Sequence, residues 1–154
     1  MNLGTLFEFA VERHPQFEAL IQGNTRFTYR EINVEINKVA SALQAMGVEQ
    51  GDRVVPVLKN RLEMVTLYWA VQKLGAVFTP INFRLSQEEI KYCVQDAAAK
   101  AIVYEPISEK NGAGSGQRPA SFENQRAGRA GCRCDVRTIA GKGIGKTGSA
   151  ENSR

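Results

Sequence analysis

The sequence lacks the features that mark membrane, secreted and disulfide-stabilised proteins. Its 154 residues contain no uninterrupted apolar run approaching the roughly 18 residues that a membrane-spanning helix needs. Its three cysteines, an odd number, do not make a disulfide framework, and the first residues lack the basic and apolar regions of a secretory signal. These absences favour a soluble protein of the reducing cytoplasm.

Residue types suited to nucleophilic or metal chemistry are also scarce. The single histidine, His14, has no surrounding pattern of serine, cysteine or carboxylate partners, so a surface position is favoured over catalysis. Cys132 and Cys134 lack the second ligand pair of a zinc site, and Cys93 lies in an apolar helical pattern that indicates a small core residue. We therefore assign no catalytic, cofactor-binding or metal-binding residue.

Charge and glycine change abruptly along the chain. Residues 1–110 carry 12 Lys/Arg and 13 Asp/Glu, whereas residues 111–154 carry 8 Lys/Arg, 3 Asp/Glu and 9 of the 14 glycines. Ordering the backbone costs about 1–2 kcal/mol per residue. The second segment has only four large apolar side chains to offset that cost, at Phe122, Val136, Ile139 and Ile144. We therefore predict a folded domain at 1–106 and a basic, Gly/Arg-rich, disordered tail at 107–154.

Three interpretations of the tail remain open. A shift of reading frame in a gene rich in G and C would produce this composition. Alternatively, the chain is a small non-catalytic module whose basic tail binds nucleic acid, although one aromatic residue offers little base stacking. Residues 140–147 (AGKGIGKT) match a relaxed phosphate-binding loop, but no apolar strand precedes them and only seven residues follow, which favours a chance match.

The first half of the body combines helices with a β-hairpin. A capping box over residues 5–8 and the apolar spacing around it predict a first helix. Strands over 19–21 and 26–28, joined at a Gly-Asn pair, predict the hairpin. A second capping box over residues 28–31 begins a longer amphipathic helix.

The second half predicts an α/β layer of alternating strands and helices. Pro56 removes one backbone donor from the first strand, which predicts an edge position or a bulge. Asn60 and Ser86 are the predicted N-caps of the two intervening helices. Connections that hold a helix indicate parallel strands, so the expected order is β-α-β-α-β. The predicted strands are 54–58, 76–81 and 101–104.

Four stretches of the body resemble the N-terminal region of the adenylate-forming (AMP-binding) superfamily, most closely its acyl-CoA synthetases. In this order and at these spacings the combination is specific, and it covers about two-thirds of the chain. The resemblance implies an incomplete N-terminal part of the large adenylate-forming domain, the hairpin plus the parallel layer. The stretches are FTYREI at 27–32, NKVASALQAMGVEQGDRV at 37–54, WAVQKLGAVFTPIN at 69–82 and RLSQEEIKYCVQDAAAKAIV at 84–103.

The resemblance implies a two-step ligase. Such enzymes use Mg-ATP to convert a carboxylic acid, here a fatty or aromatic acid, to an acyl-adenylate, and then transfer the acyl group to coenzyme A. The family's phosphate loop, its adenine-binding motif and its C-terminal catalytic lysine have no counterpart in the sequence. No catalytic residue is therefore transferred, and we expect this chain to be inactive alone, with an exposed apolar patch and an open strand edge.

Overall fold

The computed structural model describes residues 2–104, 123–125 and 135–138. The helices are α1 (Leu3–Arg13), α2 (Tyr29–Ala45), α3 (Leu62–Leu74) and α4 (Gln87–Asp96). The strands are β1 (Glu18–Gln22), β2 (Thr25–Thr28), β3 (Arg53–Val57), β4 (Val77–Phe78), β5 (Ala101–Tyr104), β6 (Glu123–Gln125) and β7 (Asp135–Thr138). None of the helices described in these ranges is both long and apolar enough to cross a bilayer.

The strands form two sheets. Strands β1 and β2 pair as an antiparallel hairpin, with Leu20 opposite Phe27. The second sheet has the order β4-β3-β5-β7-β6, in which β3 is parallel to both β4 and β5. The predicted α/β class, with a hairpin followed by a parallel β-α-β-α-β layer, is confirmed.

The direction of the crossovers explains why helices cover both faces of this sheet. The chain leaves β3 for β4 on one side and then returns past β3 to β5 on the other. Right-handed crossovers in opposite directions require their helices to lie on opposite faces. Helix α3 accordingly packs with Val54 and Val103, whereas α4 packs through Val94 with the alternate side chains Val55 and Ile102.

The two faces bury unequal amounts of apolar surface. The larger cluster joins α1, α2, α3 and the hairpin to the sheet, with Ile36, Leu43 and Val71 at its centre. The smaller cluster depends mainly on α4 and the loop that follows it. Helix α3 is the most enclosed helix: Leu67, Ala70 and Val71 are buried and most of its remaining side chains are half-buried.

The predicted edge position of Pro56 is wrong. Strand β3 lies between β4 and β5, and Pro56 is buried opposite Val103. The missing donor instead faces β4 and the residues that follow it. There the Thr79 amide donates to the Val54 carbonyl, and the Ile81 amide donates to the Pro56 carbonyl. Because Pro56 cannot donate back, β4 ends at Phe78 and is shorter than the predicted strand 76–81.

Two of the four predicted helix starts are confirmed. Thr28 and Ser86 each form a complete capping box, in which the hydroxyl accepts from the backbone three residues on and the carboxylate of Glu31 or Glu89 accepts from the cap backbone. Both boxes satisfy amides that the first helical turn leaves without intrahelical partners.

The other two predicted helix starts are wrong. Helix α1 is capped by Asn2, whose Oδ1 accepts from the Thr5 amide at 2.9 Å, so the predicted box at 5–8 lies inside the helix. Helix α3 has Arg61, not Asn60, as its N-cap, and no side chain caps the helix from that position. Its Leu62 amide donates at 2.8 Å to Oε1 of Gln22 on the hairpin.

Strands β6 and β7 fall within the segment predicted as tail. Strand β7 pairs antiparallel with β5, from Ala101 opposite Thr138 to Tyr104 opposite Asp135, and β6 pairs with β7. Neither strand is predicted by the sequence pattern. The glycine-rich match at 140–147 and the Cys132/Cys134 pair lie outside the described residues.

Candidate functional site

The topology defines one crevice where a ligand is expected. The loop after β3 leads to α3 on one face, and the loop after β4 leads to α4 on the other. In open α/β sheets, ligands bind outside the carboxyl ends of strands where neighbouring connections diverge in this way. The candidate site is therefore the carboxyl edge of β3 and β4, formed by loops 58–61 and 79–86.

The side chains of this edge are basic and amide-bearing. Lys59 and Asn60 follow β3, and Asn82 and Arg84 follow β4; all four are exposed. Asn82 Oδ1 accepts from the Arg84 amide at 3.0 Å, a local turn that leads directly into the Ser86 cap. The Arg84 guanidinium lies 5.5 Å from the centre of the Phe83 ring. An edge of this composition suits an anionic ligand group such as a phosphate.

The lysine of the third resembling stretch does not lie at this edge. Lys73 is on α3, and its side chain is only 10% exposed. Its Nζ donates at 2.8 Å to Asn33 Oδ1 and at 2.8 Å to Asn37 Oδ1, and it lies 3.1 Å from Glu8 Oε1. Three acceptors use the three donors of an ammonium group. Lys73 therefore joins α1, α2 and α3 and has no capacity left for a substrate.

Close packing of α1 on α3 supports the same structural role. A Cβ added at Gly4 would lie 2.7 Å from the Lys73 Cα, a distance that real side chains do not reach. Phe7 stacks on Trp69 at 4.6 Å between ring centres. Gly75, with φ +67°, ends α3 in the left-handed conformation that glycine favours. In the third resembling stretch, Trp69 and Lys73 thus specify helix packing, and Gly75 specifies a helix end.

The shifted carboxyl groups also belong to this scaffold. Hydrogen bonds from the Thr28 backbone and side chain lower the pKa of Glu31. Hydrogen bonds from the Ser86 side chain and backbone lower the pKa of Glu89 in the same way. In each case the bonds favour the charged carboxylate, as capping requires. Neither group has the raised pKa of a general acid.

A groove of about 270 Å³ lies between the hairpin and the start of α3. Its walls are mostly apolar, with Ile21 on one side and Met64 and Val65 on the other. The Gln22 to Leu62 hydrogen bond joins the two walls. The first turn of α3 also contains a buried carboxylate oxygen, Oε2 of Glu63, without a hydrogen-bond partner in the described part of the chain.

The described histidine and cysteine lie on different elements, at the end of α1 and on α4. His14 is exposed, follows α1 and stacks on Phe17 at 4.9 Å. Cys93 is a half-buried free thiol on α4. Within the described ranges, no group of three or more His, Cys, Asp or Glu side chains could hold a metal ion.

Comparison with known proteins identifies the class that this fold belongs to. The family model described as AMP-binding enzyme matches residues 7–140. The chain therefore belongs to the AMP-binding enzyme family, the adenylate-forming class. The matched range passes residue 106, so the predicted boundary between domain and tail stays a prediction.

Within that family the chain is similar to acyl-CoA ligases and to adenylation domains. It is 33% identical over 105 residues to the long-chain-fatty-acid–CoA ligase FadD13 of Mycobacterium tuberculosis, covering 67% of this chain and 21% of that ligase. It is 34% identical over 98 residues to malpibaldin synthetase of Mortierella alpina, covering 64% of this chain and 2% of that protein. The chain thus spans about a fifth of the length of the ligase.

A solved structure shows the same arrangement. The N-terminal domain of FACL13 from Mycobacterium tuberculosis superposes with a TM-score of 0.65 and 32% sequence identity, covering 68% of this chain and 27% of that domain. The described body therefore has the fold of one part of an adenylate-forming N-terminal domain.

Proposed function

We propose that this chain is part of an ATP-dependent acid–CoA ligase. The full enzyme converts a fatty or aromatic carboxylic acid to an acyl-adenylate with Mg-ATP as co-substrate, and then forms the thioester with coenzyme A. Family membership and the similarity to a long-chain-fatty-acid–CoA ligase support this proposal. The basic edge at Lys59 and Arg84 is compatible with the phosphate-bearing substrates of such a reaction.

We further propose that the 154-residue chain does not catalyse this reaction alone. The observation that carries this proposal is the position of Lys73, whose donors are all used between helices. Thr28 and Ser86 of the resembling stretches form helix caps, and Gly75 ends α3. Adenylation needs positioned charge around the phosphates, and the described loops at the sheet edge contain no glycine-rich phosphate loop.

The test is acid-dependent ATP–pyrophosphate exchange with two proteins. The first is the 154-residue chain. The second is a chimera in which residues 2–104 of this chain replace the matching stretch of the FadD13 ligase. We expect no exchange from the chain and measurable exchange from the chimera. Exchange by the chain alone would contradict its proposed inactivity, and a folded chimera without exchange would contradict its assignment to a ligase.

A further inference from the structure

The start of α3 lacks the side-chain cap that the other described helix starts have. Helices α1, α2 and α4 each begin at a residue whose side-chain oxygen accepts from the backbone, whereas Arg61 caps α3 without such a bond. The amides of a first helical turn have no intrahelical acceptor. The first turn of α3 (residues 62–65) therefore depends on another element, through the bond from the Leu62 amide to Oε1 of Gln22.

The acceptor of that bond lies on a weak element. Gln22 is the last residue of β1 and is exposed. In the described part of the chain β1 pairs only with β2, and a two-stranded sheet has little stability of its own. Water also competes for an exposed hydrogen bond, so its net contribution is small. Gln22 consequently holds the first turn of α3 only weakly.

The same turn contains a carboxylate in unfavourable surroundings. Glu63 shares a helix face with Leu67 and Ala70, which are buried in the larger apolar cluster. Its Oε2 is buried and has no hydrogen-bond partner among the residues that the structure describes. A buried carboxylate oxygen without a partner costs more free energy than attraction to the helix dipole returns. Glu63 is therefore more stable when the turn opens to water.

The groove beside the hairpin leaves the turn room to move. It has a volume of about 270 Å³, and Gln22, Asn60 and Arg61 line it together with apolar side chains of β1 and α3. Loop 58–61 of the candidate site leads directly into the turn. Opening of the turn therefore also displaces Lys59 and Asn60 at the carboxyl edge of the sheet.

We propose that the first turn of α3 is a local switch that opens and closes while the rest of the helix stays folded. The bond to Gln22 favours the closed form, and the unpartnered Glu63 carboxylate favours the open form. The closed form fixes the positions of Lys59 and Asn60, and the open form releases them. A ligand that binds the closed edge therefore shifts the turn toward closure. The switch belongs to the chain itself and does not depend on the ligase assignment.

Amide hydrogen exchange on the 154-residue chain measures the opening directly. The amides of Val65, Thr66 and Leu67 have their helical acceptors at residues 61–63, so they exchange when the turn opens. After correction for intrinsic rates, we expect these amides to exchange at least about tenfold faster than those of Ala70 and Val71, one turn later. This is expected although α3 is the most enclosed of the described helices.

Substitutions of Glu63 test the cause of the opening. Glu63→Gln and Glu63→Met both remove the buried charge, so we expect each to slow the exchange of amides 65–67 at least about threefold. The matched control is Glu88→Gln, because Glu88 is an exposed acid in the first turn of α4. Its removal takes away only a favourable interaction with the helix dipole. We therefore expect amides 90–92 to exchange at an unchanged or faster rate in that control.

Substitutions of Gln22 test what closes the turn. Gln22→Met removes the acceptor of the Leu62 amide, and we expect amides 65–67 to exchange at least about threefold faster. Gln22→Glu retains an acceptor oxygen at the same position, so we expect the parent rate. Because Gln22 is exposed, we expect both variants to keep the circular dichroism of the parent chain.

Several results would overturn the switch. One is exchange of amides 65–67 in the parent chain at the rate of Ala70 and Val71. Another is unchanged or faster exchange after either Glu63 substitution, which would show that the carboxylate does not favour opening. A third is Gln22→Met that leaves the rates unchanged or unfolds the whole chain, since Gln22 is assigned one local contact. Pyrophosphate exchange by the chimera tests the ligase assignment separately.

Discussion

At the scale of single residues, the resembling stretches are explained by packing. Lys73 is the most informative case, because a lysine in an enzyme-like motif invites a catalytic interpretation. Its amino group is held between Asn33, Asn37 and Glu8, and α1 approaches its backbone so closely that position 4 must be glycine. A residue in such surroundings determines how three helices fit together.

Replacing Lys73 by methionine tests this role. The substitution keeps most of the apolar stem but leaves the amide oxygens of Asn33 and Asn37 without their donor, so we expect a loss of about 1–3 kcal/mol in the free energy of unfolding. Urea denaturation followed by circular dichroism measures it. The matched control is Lys38→Met: Lys38 pairs with Glu35 on the exposed side of α2, where such a pair contributes about 0.2–0.5 kcal/mol. Equal losses would contradict the structural role of Lys73.

At the scale of helices and strands, the features set by neighbouring residues were predicted, and the features set by residues distant in the sequence were not. The boxes at Thr28 and Ser86 could be identified because both partners lie within three residues of each other. The start of α3 could not, because its acceptor is Gln22, 40 residues earlier. Nor could the position of Pro56 within the sheet, since that depends on where β4 ends.

The candidate site was likewise predictable only in the features that the local sequence sets. The sequence indicated the alternation of strands and helices, from which a crevice at the carboxyl edge follows by topology. It did not indicate that Asn82 would turn the chain toward the Ser86 cap, or that Lys73 would be enclosed away from this edge. Enclosure results from packing between helices that are far apart in the sequence.

The capping box of α2 should make stability depend on pH. Because the folded-state pKa of Glu31 is lowered, its contribution is present above the ordinary carboxyl pKa and is lost as pH falls through the lower, folded-state value. We expect Glu31→Ala to lower the unfolding midpoint at pH 7 and to differ little from the parent chain at acid pH. Urea titrations at a series of pH values measure this. Gln44→Ala, a substitution of an exposed residue on the same helix, should show no such convergence.

At the scale of the whole molecule, the sheet extends into the segment predicted as tail. Strand β7 covers the side of β5 that faces away from β3. The body 1–106 and the segment 107–154 differ in composition, but the sheet joins them because β5 pairs with β7.

Ending the chain at residue 106 tests how far the body is self-sufficient. We expect the helical circular dichroism per residue to be retained or increased, because the four helices that the structure describes all precede the cut. We also expect stronger light scattering at equal molar concentration, because an uncovered β5 presents unpaired backbone groups to other chains. A monodisperse truncated chain with unchanged scattering would show that β7 does not protect this edge.

The enclosure of α3 has a consequence for synthesis on the ribosome. The hairpin and α2 form hydrogen bonds with residues 40 positions later, from Gln22 to Leu62 and from Asn33 to Lys73. Translation adds about 5–20 residues per second, so for several seconds the nascent chain presents Ile32, Ile36 and Leu43 without the helix that encloses them. The early helices emerge in a form suited to chaperone capture, and their lasting burial begins only when α3 leaves the exit tunnel.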